Sequence, residues 1–141
     1  MNRRTVISEI EEIEFTVNIS DNSTDLFIVD DDSVFADFLI YELEKYGFKS
    51  VRNFGKDIIS EIAISDPKAI IINGDILNID IFMLCKKISF ILDIPILIII
   101  SKDTEADIID YAVMNKYRHI KRPFSMRKLV YEISHIINRY I

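Results

Sequence analysis

From Asp25 onward the chain alternates between two spacings of apolar residues. Short unbroken runs occur at Leu26–Val29, Ala69–Ile72 and Ile96–Ile100, rich in isoleucine and without polar alternation. Such runs suit strands covered on both faces, as in a parallel sheet. Longer segments between them have helical spacing. Phe35, Leu39 and Leu43 recur every four residues, and Leu129, Ile133, Ile136 and Tyr140 repeat at i, i+4, i+7 and i+11. Each set lays one apolar stripe along one helix face. Weaker stripes run through Ile58, Ile59 and Ile62, through Phe82, Cys85 and Ile88, and through Ile108, Ile109 and Ala112. Two less apolar segments, Ser50–Asn53 and Arg118–Lys121, have the composition of edge strands. Strand and helix thus alternate five times. This predicts an α/β fold, a doubly wound five-stranded parallel sheet with ligand chemistry at the carboxyl ends of its strands.

Punctuation falls where that division needs it. Tyr46-Gly47-Phe48 ends the first helix, Asp66-Pro67 the second, and Pro95 separates the third helix from the fourth strand. Asp103 or Thr104 is placed to cap the fourth helix, and Ser125 the fifth. Residues 1–24 stand outside the scheme as an N-terminal extension to a domain spanning 25–141. Ile13, Phe15, Val17 and Ile19 alternate with polar residues, as a strand does, while Val6, Ile10, Ile13 and Val17 also fit a helical stripe. The reading is a short helix, then a strand, then a turn at Asp21-Asn22-Ser23-Thr24. Such a strand would serve as a sheet edge or a contact with a second copy.

Composition narrows the class. The chain has 141 residues, enough for one domain with a single core. Its 23 acidic residues outnumber 17 basic ones, for a net charge of −6, which opposes sequence-independent binding to phosphate backbones. Cys85 is the single cysteine, so neither a disulfide framework nor a cysteine-based zinc site is available. No apolar run is long enough to cross a bilayer and no signal peptide is visible, which points to the cytoplasm.

The chemistry concentrates at strand ends. Asp30, Asp31 and Asp32 follow the first strand directly. Asp32 suits a helix N-cap. Asp30 and Asp31 exceed what a cap requires, and a hard divalent cation is one way to offset such a pair.

With these residues in place, the chain resembles the receiver domains of two-component response regulators. Leu26-Phe27-Ile28-Val29-Asp30-Asp31-Asp32 is similar to that family's first strand and acidic pair. Pro95 to Asp103 resembles its fourth strand and the loop that follows, and Arg122-Pro123-Phe124-Ser125 its Lys-Pro-Phe motif. The resemblance covers Asp25 to Ile141 and implies a flavodoxin-like sheet of receiver type.

The departures carry as much information. Counted back from Leu84-Cys85-Lys86-Lys87-Ile88, the family's phosphoacceptor aspartate falls on Asn73. An amide is a poor nucleophile and forms no stable acyl phosphate. Arg122 stands at the lysine position, where its fork would suit a bridge to Asp30 or Asp31. The switch hydroxyl falls on Ile100, with Ser101 one residue on, and the switch aromatic on His119. Asp75 or Asp31 is the alternative acceptor, and Asn73-Gly74 is a dipeptide open to deamidation.

Together these imply a signalling protein, not an enzyme, that acts by protein–protein contact independently of aspartyl phosphorylation. Magnesium is expected to bind weakly or not at all, through Asp30 and Asp31, and no other cofactor is implied. Expected partners are proteins: a histidine kinase, a downstream regulator or a second copy. Nucleic acid and membrane are not expected to bind this domain. No output domain is expected after the fifth helix unless the chain is a fragment of a longer regulator, so a signal would leave through an interface. By resemblance, the chain would otherwise be the receiver part of a transcriptional regulator. The residues Arg118, His119, Lys121, Arg122, Arg127 and Lys128 make one end basic, where an acidic protein surface would dock.

Overall fold

The computed structural model describes residues 2–8, 13–19 and 24–138. Two strands, β1 (Asn2–Ser8) and β2 (Ile13–Ile19), pair antiparallel in a sheet of their own. The expected strand over Ile13–Ile19 is present, but the expected helix before it is strand β1. The helical stripe that Val6, Ile10, Ile13 and Val17 offered is not realised over Asn2–Ser8, whose residues pair with β2 instead. The turn expected at Asp21–Thr24 and the Tyr140 end of the last apolar stripe lie outside the described residues, Thr24 excepted.

The main sheet holds β3 (Leu26–Val29), β4 (Ser50–Asn53), β5 (Ala69–Asn73), β6 (Ile96–Ile100) and β7 (Arg118–Lys121), in the order β4-β3-β5-β6-β7, all parallel. Helices α1 (Ser33–Lys45), α2 (Ile58–Ser65), α3 (Ile81–Lys87), α4 (Ala106–Met114) and α5 (Met126–Asn138) alternate with them, and a π-helical turn at Ile88–Leu92 prolongs α3. The sheet is thus the doubly wound α/β arrangement that the alternation predicts.

The three central strands are buried at every position, which explains their unbroken apolar runs. Successive residues still divide between two cores. Leu26, Ile28, Ile71, Leu97 and Ile99 pack with Leu39 and Leu43 of α1 and Leu129, Ile133 and Ile136 of α5. Phe27, Val29, Ile70, Ile72 and Ile98 pack with Ile62 of α2, Leu84 of α3 and Ile108 and Ala112 of α4. Each such side chain contributes about 1.5–3 kcal/mol by leaving water.

Helix starts show which polar groups are committed to structure. The Asp32 carboxylate accepts from the Phe35 N–H at 3.1 Å and caps α1, and Asp80 caps α3 in the same way. Ser125 accepts from the Lys128 N–H at 3.1 Å, as its place before α5 suggests. At α4 the cap position belongs to Glu105, whose side chain makes no capping bond. Neither Asp103 nor Thr104 takes that role; the Thr104 hydroxyl is engaged elsewhere.

Candidate functional site

Parallel strands bring their carboxyl ends to one side of the sheet. Here β3 delivers Asp30, β5 delivers Asn73, and Ser101 and Arg122 follow β6 and β7. The register sets Val29 beside Ile72 and Asn73 beside Ile99, so Asp30 and Asn73 meet across adjacent strand tips.

Asp30 is 1 % exposed. Its Oδ1 accepts from the Asn73 Nδ2 and from the Asp32 backbone N–H, both at 2.9 Å. Its Oδ2 is buried without a hydrogen-bond partner. Burial pushes the Asp30 carboxyl above the ordinary carboxylate range. The hydrogen bonds from Asn73 and Asp32 pull it partly back, the Asp32 charge raises it, and the Arg122 charge lowers it.

Asn73 is bonded at both ends of its amide. Besides the bond to Asp30, its Oδ1 accepts from the Asp75 N–H at 3.0 Å. The Gly74 N–H, the group that would attack the Asn73 side chain in deamidation, donates to the Ile99 carbonyl at 2.7 Å. A Cβ on Gly74 would come within 2.8 Å of that same carbonyl oxygen, so the close approach of the two strands requires glycine here.

One constellation was not legible as a unit in the sequence. The Asp75 carboxylate spans from the loop after β5 to the loop after β6. Its Oδ2 accepts from the Ser101 hydroxyl at 2.7 Å and its Oδ1 from the Thr104 hydroxyl at 2.6 Å. The Thr104 oxygen in turn accepts from the Ser101 N–H at 2.7 Å, and the Ser101 oxygen from the Asp103 N–H at 3.1 Å. Hydrogen bonds from hydroxyls to an ionised carboxylate are short and strong for their kind, so this cluster ties the two loops together. The signal was a Ser-x-x-Thr spacing after an apolar strand, which reads locally as a helix start.

The other candidate positions are spread around this cluster. Asp31 is exposed, Ile100 is buried in the apolar core, and His119 is exposed with its Nδ1 3.4 Å from the Tyr117 carbonyl. Arg122 does not bridge Asp30 or Asp31. Its guanidinium lies 3.7 Å from the centre of the Phe35 ring, and its Nε and Nη2 are buried without hydrogen-bond partners. The half-buried Phe35 ring on the first turn of α1 competes successfully with the carboxylates, because a guanidinium sheds water onto an aromatic face readily. Cys85 is buried with its thiol pushed up to about 12, which keeps it protonated and inert at neutral pH.

These donors do not fit a hard divalent cation. The amide turns its N–H toward Asp30, its oxygen is engaged by Asp75, and the Asp31 carboxylate is exposed. Among the described residues no three acidic, histidine or cysteine side chains converge as metal ligands. Nor is any helix among them long and apolar enough to cross a membrane.

The topology and the strand-end site define a flavodoxin-like α/β module. No family model matches the chain. Solved structures specify the type further. A two-component response regulator from Clostridium difficile superposes with a TM-score of 0.72 at 22 % identity, covering 84 % of this chain and 98 % of the other. The N-terminal domain of the nisin resistance regulator NsrR, a lantibiotic response regulator, gives 0.71 at 23 % over 82 % and 98 %. A CheY-like receiver domain protein from Methanospirillum hungatei JF-1 gives 0.73 at 14 % over 84 % and 96 %. The fold of this chain is the CheY-like receiver fold of response regulators. Identity this low establishes the fold, and function is argued from the site.

Proposed function

We propose that this chain is a receiver-type signalling module that acts through protein–protein contact without phosphorylation at the tip of β5. One observation carries the reading: the side chain at that tip is the Asn73 amide, hydrogen-bonded to Asp30 at 2.9 Å. In a phosphoacceptor the corresponding carboxylate must attack phosphorus while cations offset the developing charge. Here the amide is not a competent nucleophile, and Arg122 rests on Phe35 instead of reaching into the site. Magnesium binds weakly or not at all in this reading, since one buried carboxylate supplies the charge that a set of three would. The partners are a histidine kinase or a downstream regulator, and the module acts without catalysis of its own. Use as the receiver part of a transcriptional regulator is compatible with the same site.

The test is incubation with acetyl phosphate and magnesium, followed by intact-mass measurement. No phosphoryl mass gain is expected. The competing reading places the acceptor at Asp75 or Asp31. Asp31 is exposed and reachable, but among the described residues nothing holds its carboxylate in position; both Asp75 oxygens are held by hydroxyls. A mass gain lost in Asp75→Asn or Asp31→Asn would establish that reading and end ours. Asn73→Asp combined with Arg122→Lys is expected to recover some phosphoacceptance.

A further inference from the structure

Beside the Asp75 cluster lies a cleft of about 500 Å³ between the loop after β5, the start of α3 and the start of α4. Its apolar surface comes from Ile76, Leu77, Ile79, Phe82 and Ile108, and its rim carries Asp75, Asp80, Asp103 and Glu105. Among the described residues no lysine or arginine lines it. Two helix N-termini open at its edge, each worth about half a positive charge, so about three net negative charges remain. Leu77 is 90 % exposed at the lip, an apolar side chain that folding of this chain leaves in water. The Glu105 side chain is not used to cap α4 and stays available on the rim.

We infer that this cleft docks a short segment of a partner protein in which lysine or arginine residues alternate with leucine or phenylalanine. The apolar floor accepts the anchor side chain, and the rim carboxylates select cationic flanks by charge complementarity. The bridge from Asp75 to Ser101 and Thr104 fixes both walls before binding. Docking therefore costs little reordering of the receiver. This rests on the interaction reading of the module and adds the chemistry of the partner to it. The mass measurement with acetyl phosphate bears on that reading alone, and the titration below on the cleft alone.

The probe is a fluorescein-labelled peptide, Arg-Leu-Arg-Phe-Lys-Leu-Arg, titrated against the full chain by fluorescence anisotropy. Saturable binding is expected, weakened at least tenfold by Leu77→Ser and at least tenfold by Glu105→Lys. Both positions are exposed, and circular dichroism would verify that each variant is folded. Amide shifts in the NMR spectrum are expected to concentrate at residues 76–82 and 103–108. Two controls decide specificity: the same peptide with serine for each apolar residue, and with glutamate for each cation. Equal binding of the serine peptide would mean diffuse charge attraction and overturn the proposal, as would indifference to Leu77→Ser. Self-association in sedimentation that Glu105→Lys abolishes would make a second copy the occupant, and would also overturn it.

Discussion

The Asn73 amide donates to the Asp30 carboxylate at 2.9 Å, across the tips of two adjacent strands. This pairing gives one oxygen of a buried carboxylate a neutral partner and leaves Oδ2 without one. Putting an aspartate at position 73 would set two carboxylates against each other there. Asn73→Asp alone is expected to lower stability by about 1–3 kcal/mol at neutral pH, the cost of a lost hydrogen bond and an unpaired buried group. Millimolar magnesium should return part of that loss. Thermal melts of the variant with and without magnesium check both statements.

The pH dependence of Asp30 has a definite sign. Its folded pKa is raised from 3.8, chiefly by burial. The folded chain therefore holds this proton more tightly than the unfolded chain does. The stability it contributes is fully present below the unfolded value and is lost as pH rises through the higher folded value. Asp30→Asn keeps an acceptor for Asn73 and removes the charge. It is expected to be more stable than the parent at pH 7, with the gap closing as pH falls toward 3.8. Guanidinium midpoints measured across that range report it, and an unchanging gap would contradict the assignment.

Asp75→Ala removes both hydroxyl bonds between the two loops. A loss of about 3–6 kcal/mol is expected, reckoned at roughly 1.5–3 kcal/mol for each bond to a charged group. Amide hydrogen exchange should speed up at residues 101–105 while the β3 and β5 amides stay protected. Uniform acceleration over the whole chain would show that the bridge supports the entire fold and not the loops alone.

Gly74→Ala places a Cβ at 2.8 Å from the Ile99 carbonyl oxygen, which is backbone and cannot swing aside. A cost of about 1–3 kcal/mol is expected from overpacking. It should appear as a lower chemical-denaturation midpoint with unchanged m-value.

Wild-type protein aged at neutral pH is expected to keep its encoded mass. The Gly74 nitrogen that would attack Asn73 is engaged by Ile99, and both ends of the Asn73 amide are bonded. Intact-mass measurement over several weeks checks this.

The five-fold alternation of strand and helix was legible because Leu26–Val29, Ala69–Ile72 and Ile96–Ile100 are buried on both faces, and burial writes itself as unbroken hydrophobicity. The place of Asn73 was counted back from Leu84-Cys85-Lys86-Lys87-Ile88, and it falls where the apolar run of β5 stops. Contacts between loops leave no such trace. Asp75 meets Ser101 and Thr104 across separations of 26 and 29 residues, and no local period encodes that meeting. Arg122 was read by its preference for carboxylates, and its stacking on Phe35 follows from the tertiary approach of α1 to the end of β7. Between Val6 and Ile19 a helical and a strand period competed, and the pairing of β1 with β2 decided for strands.

For any small anion in solution, the hydroxyls of Ser101 and Thr104 are already occupied by a rival that never diffuses away. A ligand held in place by the same folded chain acts as though present at millimolar concentration or above. A free anion at micromolar levels would lose that contest almost every time. While the Asp75 bridge holds, those two hydroxyls are a poor landing place for a dissolved anion.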